Sequence, residues 1–92
     1  MNTRYQLIIT ESYKKKLGKF LKSHPELFEH YKKTIMLLEL NPKHPSLRFH
    51  KLEEKLENLY SISINMNYRI VFYIEDNHLI PIDIGNHNQV YQ

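Results

Sequence analysis

The chain has 92 residues, no cysteine, 41% hydrophobic residues and a formal net charge of +3. That length allows one domain with one modest core, a single unit over residues 1–92, and the composition argues against disorder, a disulfide framework and a thiolate zinc site. No apolar run approaches a membrane span, and Met1-Asn2-Thr3-Arg4-Tyr5 alternates like a strand rather than opening a signal peptide, so a cytoplasmic chain without membrane contact is expected.

The charge is unevenly distributed. Residues 1–51 hold eleven Lys and Arg against four Asp and Glu, while residues 52–92 hold two against six. A basic half favours a polyanion, because neutralising phosphates releases counterions. The same lysines also serve as the wet faces of two helices.

Tyr5, Leu7 and Ile9 alternate with polar neighbours and predict a first strand. Thr10 is placed to cap the helix that follows, with Glu11 at its positive end. Tyr13, Leu17, Phe20 and Leu21 fall on one face of it. Ser23-His24-Pro25-Glu26 reads as a stop and a restart, with capping-box spacing between Ser23 and Glu26 and Pro25 in a first turn. Leu27, Phe28, Tyr31, Ile35 and Leu38 predict the buried stripe of a second helix, which Asn41-Pro42 ends.

The remainder predicts strands. Leu47 and Phe49 alternate with Arg48 and His50. Tyr60, Ile62 and Ile64 share one face of a third strand, and Ser61 and Ser63 the other. Tyr68, Ile70, Phe72 and Ile74 follow, then Ile80, Ile82 and Ile84. Pro81 has no N–H to give a ladder, so it must face an open edge or a bulge. The expected fold is α+β, in the order β-α-α-β-β-β-β, with a mainly antiparallel sheet and the helical hairpin on one face.

Alternation also predicts a register. A three-residue loop, Asn65-Met66-Asn67, places Ile62 opposite Ile70 and Ile64 opposite Tyr68, with Asn67 in the left-handed position such loops often use. Ser63 then lies opposite Arg69, on the face away from the helices. The fifth strand returns along the fourth, so its end lies near the start of the fourth. His87 and Tyr91 are therefore expected to emerge beside Arg69, Ser63 and Asn65.

Such a set suits metal-free cleavage of RNA, with no cofactor. A base takes the 2′-hydroxyl proton, an acid protonates the departing 5′-oxygen, and a cation stabilises the charge growing on phosphorus. His87 is assigned as general acid or base, Arg69 as phosphate clamp and Tyr91 as a base-stacking or orienting group. His50 and Lys51 are further candidates. Arg48, Lys51 and the helix lysines Lys15, Lys19 and Lys22 would hold the RNA backbone, with Ser63, Asn65 and Asn67 adding polar contacts beside Arg69. Plainer roles stand beside these. Arg69 is equally placed to pair with Asp83, His87 to sit exposed on a tail, and Tyr91 to pin the terminus. No histidine pair has metal-ligand spacing with a third ligand.

Leu47-Arg48-Phe49-His50-Lys51-Leu52, Leu59-Tyr60-Ser61-Ile62-Ser63-Ile64 and Tyr68-Arg69-Ile70-Val71-Phe72-Tyr73 resemble, in this order, the RelE/ParE toxin superfamily. The ending Ile84-Gly85-Asn86-His87-Asn88-Gln89-Val90-Tyr91 resembles the tails of its RelE and YafQ branches. The resemblance implies the toxin of a type II toxin–antitoxin module, acting as a ribosome-dependent mRNA endonuclease. Its implied partners are a cognate antitoxin, the ribosome with its mRNA, and operator DNA only through the antitoxin complex. His87 falls on the tail histidine of the YafQ branch, Tyr91 on its tail aromatic, and Arg69 on an arginine common at the start of the fourth strand. The chain departs from the family at Ser63 and Asn67, where the YafQ branch has histidine and aspartate, and at Asn65, where RelE-type sites have arginine. A ParE-like inhibitor of DNA gyrase, and a homologue that only binds antitoxin and operator, are the alternatives.

Overall fold

The computed structural model describes residues 5–52, 58–86 and 90. Strand β1 (Gln6–Leu7) leads into helix α1 (Glu11–Ser23). A 3₁₀ turn (Pro25–Leu27) runs into α2 (Phe28–Leu40), and a second (Pro45–Leu47) precedes β2 (His50–Lys51), β3 (Leu59–Ser63), β4 (Tyr68–Glu75) and β5 (His78–Asn86). The strands form one sheet in the order β1-β5-β4-β3-β2. β1 runs parallel to β5, and the other three pairs are antiparallel. The expected α+β order is therefore observed.

Thr10 caps α1, its Oγ1 accepting from Tyr13 N at 3.1 Å. The capping box expected at Ser23 and Glu26 does not form. Ser23 is the last residue of α1, and the 3₁₀ turn with Pro25 in its first turn feeds directly into α2, so that helix starts without a side-chain cap. Phe28 is also not part of the buried stripe: it is 47% exposed, with Lys32 Nζ 4.9 Å from its ring centroid. Thr34 takes a buried place instead, its hydroxyl donating to His30 O one turn back, so the polar group carries its own partner.

The core lies between the helices and one sheet face. Tyr13, Phe20, Tyr31 and Leu38 meet Ile62, Ile70, Phe72, Leu79 and Ile84 there. Tyr13 and Tyr31 share a buried hydroxyl–hydroxyl hydrogen bond of 3.0 Å, which lets two phenols enter an apolar layer without stranding an O–H.

The β3–β4 register is the expected one: Ile62 pairs with Ile70 and Ser63 with Arg69. Asn67 does not take the left-handed conformation. Among the described residues Arg48, Asn58, Asp76 and Asn77 do. The turn is closed by Asn65, whose Oδ1 accepts from Asn67 N at 2.8 Å and Tyr68 N at 2.9 Å, and this side-chain bridge supplies the reversal. Asp76 and Asn77, with φ of 47° and 68°, join β4 to β5 as a two-residue turn of the I′ kind.

Two strand expectations are corrected. The second strand does not start at Leu47. Leu47 closes a 3₁₀ turn and Arg48 is left-handed (φ 50°, ψ 51°), so pairing begins at His50. Ile80, Ile82 and Ile84 do not share one face either. The register shifts between the pairs Phe72–Pro81 and Val71–Asp83, placing Leu79, Pro81 and Ile84 opposite the core-facing residues of β4. Pro81 sits at this irregularity, as its missing N–H requires.

Replacing Tyr31 with Phe leaves the Tyr13 hydroxyl buried and unpaired, and is expected to cost about 1–3 kcal/mol in urea denaturation. The double Tyr13→Phe/Tyr31→Phe variant should cost much less than the sum of the two singles. Burial pushes the pKa of both phenols above the ordinary 10.0, with the neighbouring phenol adding to the rise at Tyr13. The unfolded chain therefore releases these protons first. Stability from the pair is intact below about pH 10 and falls as pH rises further, a slope that the double variant should lose in pH-dependent thermal melts.

Candidate functional site

The sheet face turned away from the helices is polar where β3 meets β4, and it is not open. Ser61 is 0% exposed and Ser63 8%. Both lie on this face because they alternate with core-facing Tyr60, Ile62 and Ile64. Arg69, opposite Ser63, reaches across them. Its Nε and Nη2 donate to Ser61 Oγ at 3.3 and 3.1 Å, and its Nη1 to Ser63 Oγ at 2.7 Å. Nη2 also donates to Arg48 O at 3.0 Å. That carbonyl comes within reach because Arg48 is left-handed, turning the chain between the 3₁₀ turn and β2.

Four of the five guanidinium N–H groups are thus held by neutral oxygens, leaving one on Nη1. Among the described residues Arg69 has no carboxylate partner. Asp83 lies opposite Val71 and instead ion-pairs with Lys16 at 3.8 Å, while its Oδ1 accepts from Ile84 N. The Arg69–Asp83 pairing considered from sequence does not occur. The result is a cation fixed in position whose charge no anion among the described residues neutralises, which is what an anion-binding group requires.

His50 stands next to this network, its Nε2 3.5 Å from Ser61 Oγ. Ser61 Oγ also accepts two N–H bonds from Arg69, and which of Ser61 and His50 donates to the other depends on the imidazole tautomer. Lys51 is the next residue along β2, paired with Tyr60.

The other candidates divide. Asn65 and Asn67 form the turn beside Arg69, and Arg48 lies within the network through its carbonyl. Lys15 and Lys22 are not brought to it: they sit on the side of α1 opposite Tyr13 and Phe20, in the helix layer, with the sheet between them and Arg69. Lys19 shares the α1–β5 groove, of about 430 Å³, with Lys16, His24 and Asp83. His87 and Tyr91 lie outside the described residues. What is described is that β5 ends at Asn86 opposite Tyr68, one pair beyond Gly85 and Arg69. Among the described residues no three side chains of histidine, aspartate or glutamate cluster so as to hold a metal ion.

Two contributions escaped the sequence reading. Ser61 was read only as a strand-face residue, although its alternation with Ile62 and its place diagonal to Arg69 were legible. His24, read only as part of the stop between the helices, lies between aromatic rings: its centroid is 4.9 Å from Phe20 and 4.7 Å from Tyr68.

Residues 3–87 match a family model described as RelE-like toxin of type II toxin-antitoxin system HigB. Among curated proteins none is similar enough in sequence to match. Solved structures share the fold. A copper-bound mutant toxin from Helicobacter pylori is 22% identical, over 94% of this chain and 98% of that one, with a TM-score of 0.73. YafQ in the E. coli DinJ-YafQ complex is 15% identical over 98% and 100%, with a TM-score of 0.77. A chain of the YoeB-YefM complex from Staphylococcus aureus is 18% identical over 92% and 99%, with a TM-score of 0.66. With the family model spanning nearly all of it and the fold shared with solved toxins, the chain belongs to the HigB-like branch of the RelE/ParE superfamily of type II toxins.

Proposed function

We propose that this toxin is a ribosome-dependent mRNA endonuclease that cuts by metal-independent attack of the 2′-hydroxyl on the neighbouring phosphorus. The observation that carries the reading is Arg69, a guanidinium oriented by Ser61, Ser63 and the Arg48 carbonyl and without a counter-charge among the described residues. A phosphodiester supplies that charge.

In the proposed reaction the 2′-oxygen forms a bond to phosphorus as the bond to the 5′-oxygen breaks. The products are a 2′,3′-cyclic phosphate and a 5′-hydroxyl. One group takes the 2′ proton and another returns a proton to the 5′-oxygen. His87 is assigned one of these transfers, with His50 as the candidate for the other. Arg69 stabilises the extra charge on the phosphoryl oxygens, and its fixed orientation means little reorganisation is needed as that charge develops. Tyr91 stacks on a base beside the scissile bond. Arg48, Lys51 and Lys19 meet the flanking backbone.

DinJ-YafQ and YoeB-YefM are toxin–antitoxin complexes. A cognate antitoxin is proposed here as well, with operator DNA contacted only through that complex and the working place in the cytoplasm.

Induced expression separates this reading from its rivals. Loss of translation with mRNA cut within codons is the expected result. Stalled replication with translation intact would identify a gyrase inhibitor, and unchanged growth a chain that only binds its antitoxin and operator. In ribosome-programmed cleavage assays, Arg69→Lys should fall on the order of 10²–10³-fold, because an ammonium cannot reproduce the fork that spans both serines. His87→Ala should fall on the order of 10²–10⁴-fold, with the circular dichroism spectrum unchanged. Undiminished cutting by the His87 variant would remove it from the mechanism.

Arg48 provides a separate check. A left-handed non-glycine residue costs about 1–2 kcal/mol, so Arg48→Gly should raise stability by roughly 1 kcal/mol in urea melts. The same substitution removes a cation beside Arg69, so RNA affinity should drop as stability climbs.

A further inference from the structure

Next to the Arg69 network is a second concavity, of about 220 Å³, at the edge of β3 beyond its pairing with β2. It is lined by His30 of α2, by Ser46 and Arg48, and by Ser63, Asn65 and Met66. Two of these residues also hold Arg69: Ser63 through its hydroxyl and Arg48 through its carbonyl. The pocket therefore adjoins the residues that hold the guanidinium.

We propose that the pocket is a nucleobase subsite that selects guanine in the strand whose phosphate Arg69 holds. The inference rests on the reading of the toxin as an RNA-binding enzyme and adds which base it takes. The space suits one ring system rather than a whole nucleotide. The Asn65 carboxamide is oriented by the turn: its Oδ1 accepts from both Asn67 N and Tyr68 N, so its NH₂ is the part left to meet a ligand. Arg48 brings further N–H donors. Guanine presents two adjacent acceptors, O6 and N7, which match a wall of donors. Adenine and cytosine place an exocyclic amino donor where guanine has O6, which sets donor against donor, and uracil offers O4 without an adjacent N7. Met66, 90% exposed at the tip of the turn, offers a polarisable thioether at the lip, where a base face can rest. Ile64 gives the pocket its apolar floor.

Titration of the ¹⁵N-labelled toxin with the four ribonucleoside 3′-monophosphates, followed by NMR, tests this without requiring cleavage. The expected result is tighter binding of the guanosine nucleotide than the cytidine nucleotide by about tenfold or more. Shifts should centre on the Asn65 side-chain amide and on Met66. Asn65→Asp keeps an oxygen for the turn but removes the NH₂, so it should abolish the guanine-to-cytosine ratio even if all affinities fall together. Arg69→Gln should weaken all four nucleotides alike and leave that ratio in place. Equal binding of the four, a preference that survives Asn65→Asp, or shifts confined to another surface would overturn the proposal. A guanine preference that is lost in Asn65→Asp while the expressed toxin cuts no mRNA would uphold the subsite and remove only the enzymatic reading.

Discussion

The site depends on the register between β3 and β4. Side chains along a strand alternate between faces, so a slip of one residue would carry Arg69 into the apolar layer and Ile70 out of it. The fold prevents that slip at both ends of β4. Asn65 closes the turn at one end through its side-chain oxygen, and Asp76 and Asn77 close the other in left-handed conformations. Between them Ile62 faces Ile70 in the core. The same pairing that buries these two isoleucines sets Ser61 and Ser63 beneath the guanidinium.

Much of this was legible in the sequence, and the reason differs by element. The β3–β4 register followed from two uninterrupted alternating runs separated by a short polar loop, so few pairings were possible. The Thr10 cap and the α1 stripe were equally local. What was misread depended on tertiary context. Leu47, Arg48, Phe49 and His50 alternate as a strand would, yet Pro45 opens a 3₁₀ turn and Arg48 reverses direction, an arrangement in which its carbonyl bonds Arg69 21 residues away. The isoleucines of β5 alternate perfectly in sequence, and the irregularity at Pro81 breaks that phase. Phe28 fitted a helical stripe but falls at the start of α2, where the preceding 3₁₀ turn rotates it outward. For the site itself, Arg69 was legible as a strand-four residue, but the hydroxyls that hold it became visible only with the strands paired. Of the helix lysines Lys15, Lys19 and Lys22, only Lys19 lines a groove that reaches β5, because helical rotation disperses lysines that are close in sequence.

Two local features adjoin the place where the chemistry is proposed. Arg48 holds a backbone conformation that side chains resist, and Ser61 is a fully buried hydroxyl in β3. Neither feature helps the core. Both have a direct effect on one side chain, fixing the plane of the Arg69 guanidinium. Strain and buried polarity of this kind persist where surrounding structure over-determines them. Here the surroundings are the tyrosine-paired core on one side of the sheet and the two tight turns at the ends of β4.

The parallel pairing of β1 with β5 has a kinetic corollary. Gln6 meets His78 and Leu7 meets Leu79, whereas β3, β4 and β5 form a meander joined by tight turns. Loop-closure entropy makes the long connection slow to form and the meander quick. Folding should therefore assemble the serine side of the guanidinium cradle early, as part of the meander, and seat the first strand late, when it closes the opposite edge of the sheet. The two-serine hold on Arg69 would then precede completion of the fold rather than await it.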